Sequence, residues 1–233
     1  MDKVIEIKKL NGCATLLLES GETLRIPVSI LRERPARKGE VIEPLAYQEL
    51  IARRGYAHAL DGAVKLLALC DRTEGEIRER LSRAGYPDCC IDRVIEKLYA
   101  EELLDDAAFA QNWARSRAHR HGRSRIQREL TRRGIDRDTA REAVSALSDE
   151  EQLADAVRLT GKYLARTHGD MDRKLYQRTL AMLARHGYDA EIARRALETI
   201  ANGQDEDNWE EADVKELFAW KPEKQTAGDC HDE

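Results

Sequence analysis

The sequence predicts a mainly α protein: an elongated tandem array of three-helix repeats, with a small antiparallel β segment at the N-terminus. Three observations carry that expectation. A pattern ending in Gly recurs, helix-period apolar rungs surround each copy, and the first 50 residues follow different rules. The copies are Ile77-Leu81-Gly85-Tyr86-Pro87, Ile126-Leu130-Gly134-Ile135-Asp136 and Thr179-Leu183-Gly187-Tyr188-Asp189, separated by 49 and then 53 positions. Self-similarity at such a period is the signature of a helical repeat protein.

Taken in order, the first element is the β segment, residues 1–50 with a lead-in helix. Val4 to Ile7, Thr15 to Glu19 and Leu24 to Val28 are short β-prone runs separated by the turn signals Asn11-Gly12 and Ser20-Gly21. So few strands need helices or a partner to pack on. Residues 32–38 read as a polar, Pro-containing connection, and residues 43–54 as the lead-in helix, ending at Gly55. Three repeats follow, at 58–104, 105–149 and 150–202. Each opens with an amphipathic stretch: Leu60, Ala63, Val64 and Leu67; then Phe109, Ala110, Trp113 and Ala114; then Leu153, Ala156, Val157 and Leu164. Each closes on an i, i+3, i+4, i+7 face: Ile91, Val94, Ile95 and Leu98; Ala140, Ala143, Val144 and Leu147; Ala193, Ala196, Leu197 and Ile200. The pattern glycines suit the left-handed residue just past a helix end, where a Cβ is penalised. Asp136 and Asp189 suit the N-caps of the helices that follow, and Thr73 with Glu76 and Ser124 with Gln127 look like capping pairs. Residues 203–233 form an acidic tail. From residue 201 on, eleven acidic residues against three lysines predict disorder, although Val214, Leu217 and Phe218 have the spacing of a short recognition helix.

Composition narrows the function. With 36% charged and 42% hydrophobic residues the chain is a soluble, charge-faced helical protein. It lacks any apolar run near the roughly 20 residues that span a bilayer, and its N-terminus lacks the plan of a signal peptide, so a cytoplasmic location without a membrane partner is expected. Cys13, Cys70, Cys89, Cys90 and Cys230 are odd in number and form no CxxC, so free thiols are expected, with one of Cys89 and Cys90 facing the core. None of the six histidines stands at metal-ligand spacing with a carboxylate or cysteine, and no nucleophile elbow, phosphate loop or dinucleotide fingerprint occurs. A protein with no catalytic residues, metal or cofactor is the expectation.

Charge distribution says more. The whole chain carries −5, yet residues 115–141 hold ten arginines against Glu129, Asp136 and Asp138, a local balance of about +7. Arg115, Arg117, Arg120, Arg123, Arg125 and Arg128 lie across one helix end, a loop at His121-Gly122 and the next helix start, where guanidinium groups attract phosphates or carboxylates. A solvated face whose arginine stems cover apolar surface would account for the same run, but the density of guanidinium groups favours an anionic partner. Phe109 and Trp113, one turn apart among alanines, are read as core.

The run Leu104-Asp105-Asp106-Ala107-Ala108-Phe109-Ala110, with Arg115-Ser116-Arg117, Gly122 to Leu130 and Gly134-Ile135, closely resembles the middle motif of the RecX family of recombination regulators. Arg72 to Leu81, ending at Gly85-Tyr86, is similar to the family's first repeat, with Arg72-Thr73 and Ile77 departing from its usual pattern. The resemblance covers about residues 58–200; the third repeat keeps little beyond Leu183, Gly187 and the following helix, and the tail with Trp209, Phe218 and Trp220 lies outside it. It implies a monomeric regulator in recombination, DNA repair and the SOS response that binds the RecA recombinase filament on single-stranded DNA and inhibits or modulates its ATPase, strand exchange and coprotease activities. Arg115, Arg117, Arg120, Arg123, Arg125, Arg128, Arg132 and Arg133 are then the expected filament- or DNA-binding residues, and charge reversal at Arg123 and Arg125 is expected to weaken inhibition without lowering the melting temperature. The alternatives are a stand-alone, sequence-independent nucleic-acid-binding module and a helical adaptor for another protein, engaged through the tail.

Overall fold

The computed structural model describes residues 1–167 and 172–201; the acidic tail lies outside the described residues. Strands β1 (Asp2–Leu10), β2 (Cys13–Leu18) and β3 (Thr23–Pro27) precede helix α1 (Val28–Glu33), strand β4 (Val41–Ile42) and helix α2 (Pro44–Leu67). Then come α3 (Glu74–Arg83), α4 (Asp88–Ala100), α5 (Asp106–Ala118), α6 (Arg123–Arg132), α7 (Arg137–Ser145), α8 (Asp149–Leu164), α9 (Arg173–His186) and α10 (Ala190–Ala201). Contacts divide the chain into two compact units. Unit 1 joins Met1–Trp113 to Leu130–Ala140, and unit 2 joins Ala114–Glu129 to the described residues from Arg141 onward.

In unit 1 the strands form an antiparallel sheet in the order β3-β2-β1-β4. Asn11 and Gly12 both take positive φ, 51° and 83°, which is the two-residue hairpin geometry that matches strand twist. The sheet buries Val4, Leu16, Leu18 and Ile26 against Ile30 of α1 and Tyr47 and Ile51 of α2. Two elements depart from expectation. Val28 opens α1 instead of extending β3, because Pro27 already supplies the extended backbone before a helix start. The lead-in helix does not end at Gly55: α2 runs unbroken from 44 to 67, so it crosses the expected boundary between segment and first repeat. An interior glycine costs only about 1 kcal/mol, and the buried stripe of Ile51, Ala59 and Ala63 outweighs it. Gly55 sits against Cys90, the buried member of its pair; Cys89 is exposed, and the four described cysteines are free thiols.

Gly85, Gly134 and Gly187 take φ of 91°, 89° and 90° just past α3, α6 and α9, as the sequence predicts. The last two also make close backbone joints. In unit 1, a Cβ built on Gly75, in the first turn of α3, would lie 2.6 Å from the Cα of Gly134. Thr73 Oγ1 donates to the carbonyl of Arg133 at 2.5 Å and accepts from the N–H of Glu76 at 3.2 Å. In unit 2, Gly122 meets Gly187 so closely that a Cβ on either would enter the other turn's backbone region. There the N–H groups of Gly122 and Ser124 donate to the carbonyls of His186 and Gly187 at 2.9 and 3.0 Å. At the second joint the orphan groups of one helix end satisfy those of another, and at the first the capping hydroxyl of Thr73 takes the orphan carbonyl. Ser124 therefore lies inside the first turn of α6, whereas Asp136 and Asp189 cap as expected, accepting from Thr139 and Ile192.

Replacing Gly134 by alanine should destabilise unit 1 far more than the same change at Gly39. Both have a positive φ, a penalty of roughly 1–2 kcal/mol for any L side chain. Gly39 has open space around it, whereas at Gly134 the methyl would lie 2.7 Å from the Cα of Gly75. Urea denaturation followed by circular dichroism should give a loss above about 3 kcal/mol for Gly134→Ala; equal losses for the two variants would refute the joint.

Candidate functional site

The arginine-rich stretch is positioned by α5, the turn after it and α6. The α5 helix begins where Asp105 accepts the N–H of Ala108 at 2.8 Å, and it ends where the N–H groups of Arg120 and His121 return to the carbonyl of Arg117. Gly122 then opens α6, whose Ile126 and Leu130 are fully buried one turn apart. That buried stripe fixes which arginines can point outward.

The eight arginines separate into two classes. In unit 2, Arg115, Arg120 and Arg128 are exposed, and Arg115 and Arg120 make no ion pair among the described residues. Arg128 lies along its own helix, its Nε 3.2 Å from the carbonyl of Ser124. Arg117 is half-buried and engaged, and Arg125 pairs with Glu129 at 3.3 Å. Arg123 is turned inward: its Nε donates to the carbonyl of Val144 at 3.1 Å, and its other nitrogens reach the carbonyl of Leu147 and the carboxylate of Asp149. It thereby caps the C-terminal end of α7. In unit 1, Arg132 is exposed at the end of α6, while Arg133 pairs with Glu76 at 2.8 Å and lies 3.9 Å from the centroid of the Trp113 ring. Phe109 and Trp113 are not deep core. They stack at 5.9 Å, half-buried, beneath the Arg133 guanidinium.

Sequence reasoning missed a basic pocket in unit 2, of about 480 Å³. The Gly122–Gly187 joint brings two His-Gly dipeptides together, so that the rings of His121 and His186 lie 6.1 Å apart at its wall. Tyr188 and Leu159 add apolar surface, and Arg120, Arg158 and Lys162 supply the cations. Asp155 is the acid in the lining; it is held by Arg158 at 2.5 Å and by His119 at 3.3 Å. Burial pushes the Tyr188 hydroxyl up to about 12, reinforced by Asp155. Burial, then the charge of Arg125, holds His121 below the ordinary imidazole range. The recurrence of His before a pattern glycine, at 121–122 and 186–187, was the available signal. No group of three or more metal-binding side chains occurs among the described residues.

Two outcomes follow. Arg123→Ala should cost about 2 kcal/mol, as charge-assisted bonds to helix-end carbonyls are lost, while Arg115→Ala should stay within about 0.5 kcal/mol; chemical denaturation compares them, and it reverses the expectation that charge reversal at Arg123 leaves the melting temperature untouched. Because the folded state resists protonating His121, stability should be complete above about pH 6.5 and fall as pH drops through the depressed folded value, since the unfolded chain binds the extra proton. Arg117, Arg125 and His186 face this ring with like charge potential and Glu129 opposes them. His121→Gln should flatten the denaturation midpoint between pH 7 and 5; an unaltered slope would assign the effect elsewhere.

Family models for the first, second and third three-helix domains of RecX match residues 59–98, 105–144 and 149–197. The regulatory protein RecX of Bacillus velezensis is 28% identical over 219 residues, covering 93% of this chain and 82% of that protein. The regulatory protein RecX of Thermobifida fusca is 37% identical over 142 residues, 60% of this chain and 77% of its own length. A crystal structure of regulatory protein RecX shares the fold, with a TM-score of 0.59 at 21% identity, covering 85% of this chain and all of that one. No helix among the described residues is long and apolar enough to cross a membrane. Three three-helix domains in tandem behind a small antiparallel sheet, matched domain by domain, make this chain a member of the RecX family of regulatory proteins.

Proposed function

We propose that this protein regulates recombination by binding the RecA recombinase filament on single-stranded DNA and restraining its ATPase, strand exchange and coprotease activities. It acts by binding, without catalysis, as a monomer in the cytoplasm where such filaments form. Membership in a family of regulatory proteins supports the regulatory part. The observation that carries the nucleic-acid part is the exposure of Arg115, Arg120 and Arg128 on unit 2, away from the inward-turned Arg123. Guanidinium groups that pair with no carboxylate among the described residues can meet phosphate oxygens or an acidic protein surface. Arg132 contributes from unit 1, whereas Arg117, Arg123, Arg125 and Arg133 chiefly hold the scaffold that presents the others. Tandem domains suit a polymeric target, because contacts to successive protomers add through avidity.

The test is the DNA-dependent ATPase rate of the recombinase, preassembled on single-stranded DNA, as this protein is titrated in. The rate should fall at well below one copy per protomer. Arg115→Glu with Arg128→Glu should raise the concentration for half-inhibition by about tenfold or more, while the unfolding midpoint stays put. An unchanged ATPase rate with DNA binding intact would instead leave a stand-alone nucleic-acid-binding module.

A further inference from the structure

We infer that the basic pocket of unit 2 is a binding site for one nucleoside phosphate unit, its base lodged against the histidine pair and Tyr188 and its phosphate at Arg120 and Lys162. The pocket's volume, about 480 Å³, falls in the range of roughly 300–1,000 Å³ usual for small-molecule sites. Its walls and its rim ask for different chemistry. Tyr188, Leu159 and the two imidazoles give a largely aromatic and aliphatic surface, which suits a planar ring and offers little to a bare inorganic anion. Arg120 and Lys162 at the same pocket are exposed and make no ion pair among the described residues, so they keep their charge for a ligand. Asp155, by contrast, is ion-paired with Arg158 and lies 3.3 Å from Nδ1 of His119.

The imidazoles also have a fixed polarity. Nδ1 of His121 and Nδ1 of His186 are both buried with no hydrogen-bond partner among the described residues. Leaving a buried N–H unmet costs more than leaving a lone pair unmet, so in its neutral form each ring places its proton on Nε2. The nitrogen that a ligand can reach is therefore a donor. Two such donors complement the carbonyl and ring-nitrogen acceptors of a nucleobase edge.

Taking the strand as the ligand's source rests on the function proposed above; the pocket's chemistry does not. The decisive measurement uses the full chain, with NMR of the His121 and His186 ring signals and calorimetry. Thymidine 5′-monophosphate should shift both rings and bind at least tenfold more tightly than either thymidine or inorganic phosphate. A short oligothymidylate should shift the same signals, whereas an abasic oligonucleotide should not. Lys162→Glu, at an exposed position, should weaken the monophosphate at least tenfold with its unfolding midpoint unchanged. Inorganic phosphate matching the monophosphate would overturn the base pocket. Ring signals that respond to neither nucleotide nor oligonucleotide would overturn the site, as would a response only to a peptide copy of residues 205–211, whose Trp209 among acids would then be the occupant. If the monophosphate binds but the recombinase ATPase is indifferent to this protein, the pocket stands and the filament function falls; the reverse result separates them equally well.

Discussion

The constraint on which the structure depends is the meeting of two helix ends without side chains between them. At Gly75 with Gly134, and at Gly122 with Gly187, backbone touches backbone at distances that no Cβ tolerates. Helix termini leave N–H and C=O groups without intrahelical partners, and each left buried and unmet costs about 1–3 kcal/mol. Here the carbonyls ending α9 take the N–H groups that begin α6, and the carbonyl of Arg133 takes the hydroxyl of Thr73 before α3. The partial charges of the two ends have opposite sign, so the same approach aligns helix dipoles favourably. The end of α3 is met differently: Gly85 rests on Cys13 of the hairpin, and Arg25 donates to the carbonyls of Ser82 and Arg83.

The arginine-rich stretch is therefore two things at once. Arg123 is part of the frame, since it takes three acceptors around the end of α7 and the start of α8. Arg133 is likewise consumed, by Glu76 and the Trp113 ring. What is left outward is a smaller set: Arg115, Arg120, Arg128 and Arg132. A count of basic residues overstates such a surface, because bidentate, planar guanidinium groups are also the residues best able to tie carbonyls and carboxylates together.

Much of this was legible in the chain. Apolar spacing gave the rungs Ile91, Val94, Ile95 and Leu98, all buried, because a helix face repeats at a fixed interval. Gly134 and Gly187 announced their left-handed turns, since only local chemistry is needed there. Asn11-Gly12 announced the hairpin for the same reason. What escaped was nonlocal. The partners of Arg123 lie more than twenty positions away, the Arg133 carbonyl that takes the Thr73 hydroxyl sixty, and no periodicity encodes them. Gly55 misled because a glycine's meaning depends on what packs beside it, here Cys90. The histidine pocket was invisible because His121 and His186 become neighbours only through the glycine joint.

The joint between Gly122 and Gly187 also ties folding to the order of synthesis. The first N–H groups of α3 are met closer in the chain, by Thr73 and by Asp106, but those of α6 go to the carbonyls of His186 and Gly187, so this helix start waits for a segment translated about sixty residues later. A nascent chain leaving the ribosome N-terminus first can form α6 but cannot close its leading end until the third domain has emerged. Translation thus runs opposite to the direction in which α6 is capped, and premature termination within the third domain leaves the second one uncapped at its most basic turn.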